Sequence, residues 1–155
     1  MTASPNHALL AEANRAGTWF HARKTRPIWA RELDADQTVQ TIEGPMNARA
    51  GDFLCRGEAG DIWPQKAKTL NERYVRTETV TAEGWRQYQP RPDAEGVMAF
   101  QVNHPFNVVT TWGQQTGKPG DFLLKNHRDR DVAEPVDVWI VDQRLFRATY
   151  EPVRR

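Results

Sequence analysis

Apolar and polar positions along this chain fall into short runs, and the runs occur twice. An apolar stretch at residues 27–30 (Pro-Ile-Trp-Ala) returns at 96–102, and a β-rich stretch at 38–42 returns at 108–112. After each, a glycine (Gly44, Gly113) starts a polar turn, and a Gly-Asp pair opens a third strand at 53–55 or 122–124. Gly and Asp suit such corners, because glycine tolerates left-handed backbone and aspartate bonds nearby main chain. A fourth strand follows at 61–63 or 136–141. Leu70 and Tyr74, like Phe146 and Tyr150, stand four apart and predict one face of a short closing helix, which Asp142 can cap in the second run. Ahead of the first run, Ser4-Pro5 and Gly17 bracket a helix with Leu9, Leu10 and Ala13 on one face.

The runs align residue by residue. At a shift of 69, Val39 meets Val108, Thr41 meets Thr110, Gly44 meets Gly113, Arg49 meets Lys118, and Gly51-Asp52-Phe53-Leu54 meets Gly120-Asp121-Phe122-Leu123. Upstream the same shift sets Trp19 against Tyr88, Ile28 against Val97 and Ala30 against Ala99. Downstream the shift is 76, because the second copy carries seven extra residues; Trp63 then meets Trp139, Leu70 meets Phe146, and Tyr74 meets Tyr150. The expectation is an α+β fold of two tandem, pseudo-symmetric units, 18–80 and 81–155, each with about four antiparallel strands and a closing helix. The N-terminal helix, within residues 1–17, belongs to neither copy and is expected to pack across both.

Arg-Ala-Gly-Asp-Phe-Leu (49–54) and Lys-Pro-Gly-Asp-Phe-Leu (118–123), with the tryptophan after each and the closing Leu-Phe-Arg-Ala-Thr-Tyr-Glu-Pro-Val (145–153), resemble the motif of the PGDYG family of small bacterial and phage proteins. The resemblance spans nearly the whole chain, twice, and is better in the second copy. The first has Ala50 at the motif proline, and both have Phe at the motif Tyr. It implies a small α+β unit and supplies no catalytic residues.

Composition narrows the function classes. The 155 residues are 39% hydrophobic and 26% charged with a net charge of +1, so the chain is globular and no overall field drives it onto nucleic acid or an anionic membrane. One cysteine, Cys55, excludes an internal disulfide and a cysteine-rich metal site, and reads as a small buried hydrophobe. No apolar run is long enough to span a bilayer and no signal-peptide core is present, so the expected location is the cytoplasm. Glycine-rich phosphate loops, dinucleotide fingerprints, His-Glu-x-x-His, Cys-x-x-Cys and Gly-x-Ser-x-Gly are all absent. No cofactor or metal is implied.

A duplication separates scaffold from variable positions. Gly51-Asp52 and Gly120-Asp121 recur and read as turns; Trp63, Trp139, Tyr74, Tyr150, Phe53 and Phe122 recur and read as core. Residues found in one copy are free for a specific role. His21, Arg23, Lys24, Arg26 and Arg31, interleaved with Trp19, Phe20 and Trp29, form the strongest local charge bias and suit an anionic ligand with a ring to stack. His104 precedes Pro105 in a loop of the second copy, and His127 lies in its longer 126–131 loop, expected to be exposed. The ligand-binding candidates are therefore Arg23, Lys24, Arg26, Arg31, His104 and His127. The favoured reading is a non-catalytic binding module for a small anionic or nucleotide-like ligand, held between the two repeats, or for a protein. The alternatives are a hydrolase of a phosphorylated or nucleotide substrate, pairing His104 or His127 with Asp52 or Asp121, and a phage-type accessory protein that binds a host protein.

Overall fold

A computed structural model describes residues 4–153; residues 1–3 and 154–155, the outer ends of the predicted N-terminal segment and second unit, lie outside the described residues. The fold is α+β, built mostly of antiparallel strands with three α-helices. After helix α1 (His7–Ala16) come β1 (Phe20–Lys24), β2 (Ile28–Glu32), the hairpin β3 (Gln37–Thr41) and β4 (Gly44–Ala48), β5 (Phe53–Arg56), β6 (Ile62–Gln65), α2 (Ala67–Arg73), β7 (Tyr74–Val80) and β8 (Arg86–Pro90). The series then repeats as β9 (Val97–Gln101), the hairpin β10 (Phe106–Thr110) and β11 (Gly113–Gly117), β12 (Phe122–Asn126), β13 (Val138–Val141), α3 (Gln143–Thr149) and β14 (Tyr150–Pro152).

Two five-stranded sheets carry these elements, in the orders β6-β5-β2-β8-β7 and β13-β12-β9-β1-β14. The orders match position for position, but one strand of each is contributed from outside its own run. β1 lies between β9 and β14, and β8 lies between β2 and β7. Each run therefore lends its leading strand to the other's sheet. The registers also correct an alignment: Ala22 faces Val97 as Tyr88 faces Ile28, so the partner of Trp19 is Trp85, not Tyr88. The connection 91–96 is three residues longer than 25–27, and that difference displaces the register.

Local chemistry accounts for the corners. Gly51 and Gly120 sit at φ 92° and 97°, a region costly for any side chain, and each donates its N–H across the corner, to the carbonyl of Leu33 or Val102. Asp52 and Asp121 are buried and accept the N–H of the residue three before, Arg49 or Lys118. The two hairpins lie with β4 beside β11, each turn bonded to the other's second strand: Asn47 N–H donates to Trp112 O, and Thr116 N–H donates to Glu43 O, both at 2.8 Å. Gly44 and Gly113 end the hairpin turns rather than start them, opening β4 and β11.

Each sheet covers its helix with a separate core. Leu70 of α2 packs with Ile28, Ala30, Cys55, Tyr74 and Tyr88; Phe146 of α3 packs with Ala22, Val97, Ala99, Phe122 and Leu124. A fully buried Leu such as Leu70 contributes roughly 1.5–3 kcal/mol by leaving water. Tyr74 and Tyr150 are not on the helices as expected, but begin the strands that follow them. Helix α1 ends on Gly17 in left-handed geometry. It packs Leu10 and Ala13 against the second sheet's other face, with Phe100, Val102 and Ile140, rather than across both runs. Asn6 fixes it by a two-way amide pairing with the main chain of Val109. Asp142 caps α3, accepting from the N–H groups of Arg144 and Leu145.

The longer loop of the second run is not a free polar tip. Asn126 is buried, His127–Asp129 form a 3-10 turn, and the buried ammonium of Lys125 donates to the carbonyls of Arg130 and Val132. The loop is tied down from beneath, although Arg128, Arg130 and Asp131 remain exposed. Among the described residues, no helix is long and apolar enough to cross a membrane.

Candidate ligand-binding cleft

A cavity of about 300 Å³ is lined by residues of both sheets and both hairpin tips. Its walls include Trp63 of β6 and Trp139 of β13, edge strands at matching places in the two sheets. Neither tryptophan is buried outright. Each rests one side on its own core and presents the rest to the cavity. Tyr150 is likewise half-buried, whereas Tyr74 is only 2% exposed. All six repeated aromatics thus pack on the cores as expected, Tyr74 and Phe122 buried outright and Trp63, Trp139, Tyr150 and Phe53 on their margins. An edge strand has one neighbour instead of two, so its side chains are covered only on one flank.

Cations cross the cavity to these rings. Lys24, from β1 in the second sheet, places its ammonium 4.9 Å from the Trp63 ring in the first sheet and 5.0 Å from Tyr150. Arg73, closing α2 on the first sheet, lies 4.8 Å from the Trp139 ring in the second and donates to Asn126 Oδ1, while Asn126 Nδ2 donates to Asp137 Oδ2. Lys66 stands 4.9 Å from the Trp112 ring and pairs with Asp52. Such contacts contribute ~0.5–2 kcal/mol each, more as water is excluded. Burial alone would lower the pKa of Lys24, but Tyr74, Tyr150 and Asp61 outweigh it, and the net shift is upward. Lys24 is therefore a fixed positive charge against an aromatic wall. Burial pushes the Tyr74 phenol up to about 12.

Five cations line the cavity (Arg23, Lys24, Lys66, Arg73, Arg91) against three carboxylates (Glu43, Asp61, Asp137). Glu43 is a weak member of the second group. Burial, followed by the charges of Asp142 and Asp121, pushes its pKa up to about 7. Among the described residues, the buried side-chain atoms with no hydrogen-bond partner are Arg23 Nε, Glu43 Oε2 and Gln65 Oε1, and all three residues line this cavity. An orphaned buried polar atom costs about 1–3 kcal/mol, so three around one cavity are a concentrated expense.

Of the six residues that the sequence proposed, only Arg23 and Lys24 line the cleft. Arg26 pairs with Glu58 at the surface, and Arg31 lies 4.7 Å from the Trp85 ring, where Arg56 also sits. His104 is exposed and pairs with Glu12 of α1. His127 stacks on His21, with ring centroids 3.9 Å apart. The local basic run is split because alternate strand residues face opposite ways and β1 and β2 enter different sheets. Asp52 and Asp121, which a hydrolase would pair with those histidines, are held by corner amides instead. Sequence reasoning missed Lys66, Arg73, Arg91 and Glu43. A signal existed: Glu43 aligns with Trp112 and Arg73 with Thr149, so both are differences between otherwise matching segments. Among the described residues, no three His, Cys, Asp or Glu side chains are grouped to hold a metal ion. Cys55 is buried, and burial pushes its thiol up to about 12.

No family model matches the chain, and neither curated proteins nor solved structures provide a match.

Proposed function

We propose that the chain is a duplicated unit, its halves related by a pseudo-two-fold axis through the hairpin contact, and that it works as a non-catalytic binding module for a small anionic, nucleotide-like ligand held between the halves. One observation carries this reading: Trp63 and Trp139, at matching places, wall a shared cavity, and each has a cation from the opposite sheet against its ring. Aromatic faces accept a planar ring by stacking, and the excess of cations favours a negative group beside it. The cavity, near 300 Å³, is at the lower end of the range for small-ligand sites. The reciprocal hairpin bonds and the matching sheet orders support the duplication, as does the resemblance of both Gly-Asp corners to the PGDYG motif.

A thermal-shift screen against nucleotides and sugar phosphates tests this. A ligand present at a hundred times its dissociation constant should add roughly 2.7 kcal/mol of stability. The gain should shrink with added salt and be lost in Lys24→Met and Trp63→Ala. A screen without a stabilising anion, or a hit that both variants retain, sinks the reading.

A further inference from the structure

Four of the five cations lining the cavity already bond an oxygen of the protein. Arg23 donates to Pro92 O, Lys66 to Asp52, Arg73 to Asn126 and Arg91 to Asn71 O. Lys24 is the exception. Among the described residues its ammonium has the Trp63 and Tyr150 rings against it and no hydrogen-bond or ion-pair partner. Its nitrogen is not one of the enclosed atoms that lack a partner, so solvent reaches it, and the residue lines the cavity. Burial acts against this ammonium, Tyr74, Tyr150 and Asp61 act for it, and Arg73 is near enough to act against it again. Asp61 makes no ion pair with it, because its carboxylate lies over Gly57, in room that any side chain there would take. The neighbouring polar groups are also donors. Neither the Trp63 indole N–H nor the Tyr150 hydroxyl has a hydrogen-bond partner among the described residues. An ammonium and an indole can only donate, and a phenol can do so too, so this wall suits a group rich in acceptor oxygens.

Resting on the function proposed above, we propose that Lys24, held between Trp63 and Tyr150, is the seat of the ligand's charged group, and that this group is the terminal phosphate of a phosphomonoester. Such a phosphate brings three acceptor oxygens and close to two negative charges at neutral pH. Lys24 meets it as a point charge with three donors, and an ionised donor and acceptor make the stronger kind of hydrogen bond. The flanking rings hold the lysine stem in place and keep water from its sides. Arg73 adds a second positive charge in the same cavity without leaving Asn126. A cyclic phosphodiester has one charge and two free oxygens, and fits this seat less well. A nucleoside without phosphate leaves the ammonium as it is in the empty cleft.

Isothermal titration calorimetry of the full chain tests this with four probes: AMP, cyclic AMP, adenosine and inorganic phosphate. AMP should bind at least about tenfold more tightly than cyclic AMP, a difference of about 1.4 kcal/mol. Adenosine should not bind measurably, and phosphate alone should bind more weakly than AMP. Lys24→Met keeps a long side chain between the two rings and removes the charge. It should bring AMP down to the level of cyclic AMP and abolish phosphate binding. Its melting curve should stay cooperative, since no hydrogen-bonded partner of the ammonium is lost. Lys24→Arg, which restores the charge, should recover most of the preference for AMP. Equal binding of AMP and cyclic AMP, or a preference that survives in Lys24→Met, overturns the seat while leaving the cleft as a nucleotide site. Binding of phosphate with AMP excluded overturns the monoester. Silence from all four probes, phosphate included, overturns the seat; silence from the wider anion screen as well removes the cleft reading itself.

Discussion

The two Gly-Asp corners and the two tryptophan walls occupy matching places in the fold, yet they differ in what they keep. At the corners the bonds recur: glycine N–H to Leu33 or Val102, aspartate to Arg49 or Lys118 N–H. At the walls the rings recur and the charges do not. Lys24 faces Trp63, but the register puts Pro90 at the place of Lys24; Arg73 faces Trp139, but Thr149 stands at the place of Arg73. Backbone corners must close in both halves, so their chemistry is held twice. A cavity lined by both sheets needs its charges only once, so they can differ where the sheet orders match.

The sharpest way to break the comparison is to separate the halves. Fragment 1–80 lacks β8 and fragment 81–155 lacks β1, each an interior strand of the sheet it completes. Each fragment alone should lose its whole cooperative stability, of order 5–15 kcal/mol for a small domain. Mixing them should restore the far-ultraviolet circular dichroism of the intact chain. A fragment that melts cooperatively by itself would show that the exchanged strand is dispensable.

Next come the corners, which match in main chain but not in side-chain partners. Asp121 also accepts the N–H of Gln143 and pairs with Lys118, whereas Asp52 adds only Lys66. Asp121→Ala should cost about 3 kcal/mol and Asp52→Ala about 2, read from urea midpoints. Equal costs would mean that the added bonds of Asp121 carry no net stability.

These expectations indicate what was legible in the sequence. The corners, the cap at Asp142 and the buried Cys55 could be read because each follows from local chemistry; the hairpin strands β4 and β11 were expected as polar turn, and seven strands stand in each run where about four were expected. The strand exchange could not be read. A five-residue strand such as β1 states that it will pair, not with what, and the longer 91–96 connection hid the match of Trp19 with Trp85. The cleft was half legible. Trp63 and Trp139 stood out as repeated aromatics, but whether a ring faces core or cavity is decided by what covers an edge strand. Arg26 and Arg31 misled because nearness in sequence does not survive when adjacent strands join different sheets.

A third test uses pH at the cleft. Glu43 is an acid whose folded pKa, about 7, lies above its ordinary value, with burial as the leading cause. The folded state therefore holds the proton more tightly than the unfolded one. Its contribution to stability is complete below the ordinary carboxylate range and is lost as pH rises through about 7. The size is about 2 kcal/mol once its partial exposure is allowed for. Glu43→Gln should flatten this part of the stability profile, measured by chemical denaturation at several pH values. An unchanged slope would show that the carboxyl is hydrated. Asp142, whose pKa is lowered by Lys118 and the α3 amides despite burial, acts at lower pH and stays outside this window.

The smallest effect is expected at His104, which belongs to the second half alone, Ala35 standing at its place in the first. Asymmetry made it a ligand candidate, but the structure spends it elsewhere: Nδ1 meets Pro105 O, and Nε2 meets Glu12 at 2.8 Å, holding α1 to the loop before β10. Both contacts favour the protonated ring, first the bond to the Pro105 carbonyl and then that to Glu12, so its pKa is raised. Stability from this pair is therefore present below the ordinary histidine range and is lost as pH rises through the folded value. The ring is solvent-exposed, so salt screens the pair and the gain is slight. His104→Gln should lower the melting temperature a little in mildly acidic buffer and leave it unchanged in alkaline buffer. Ligand affinity should not move at any pH, because His104 is not among the residues lining the cleft. If His104→Gln weakened nucleotide binding while Lys24→Met did not, the site would have to be sought beside α1, and asymmetry alone would have been the better guide.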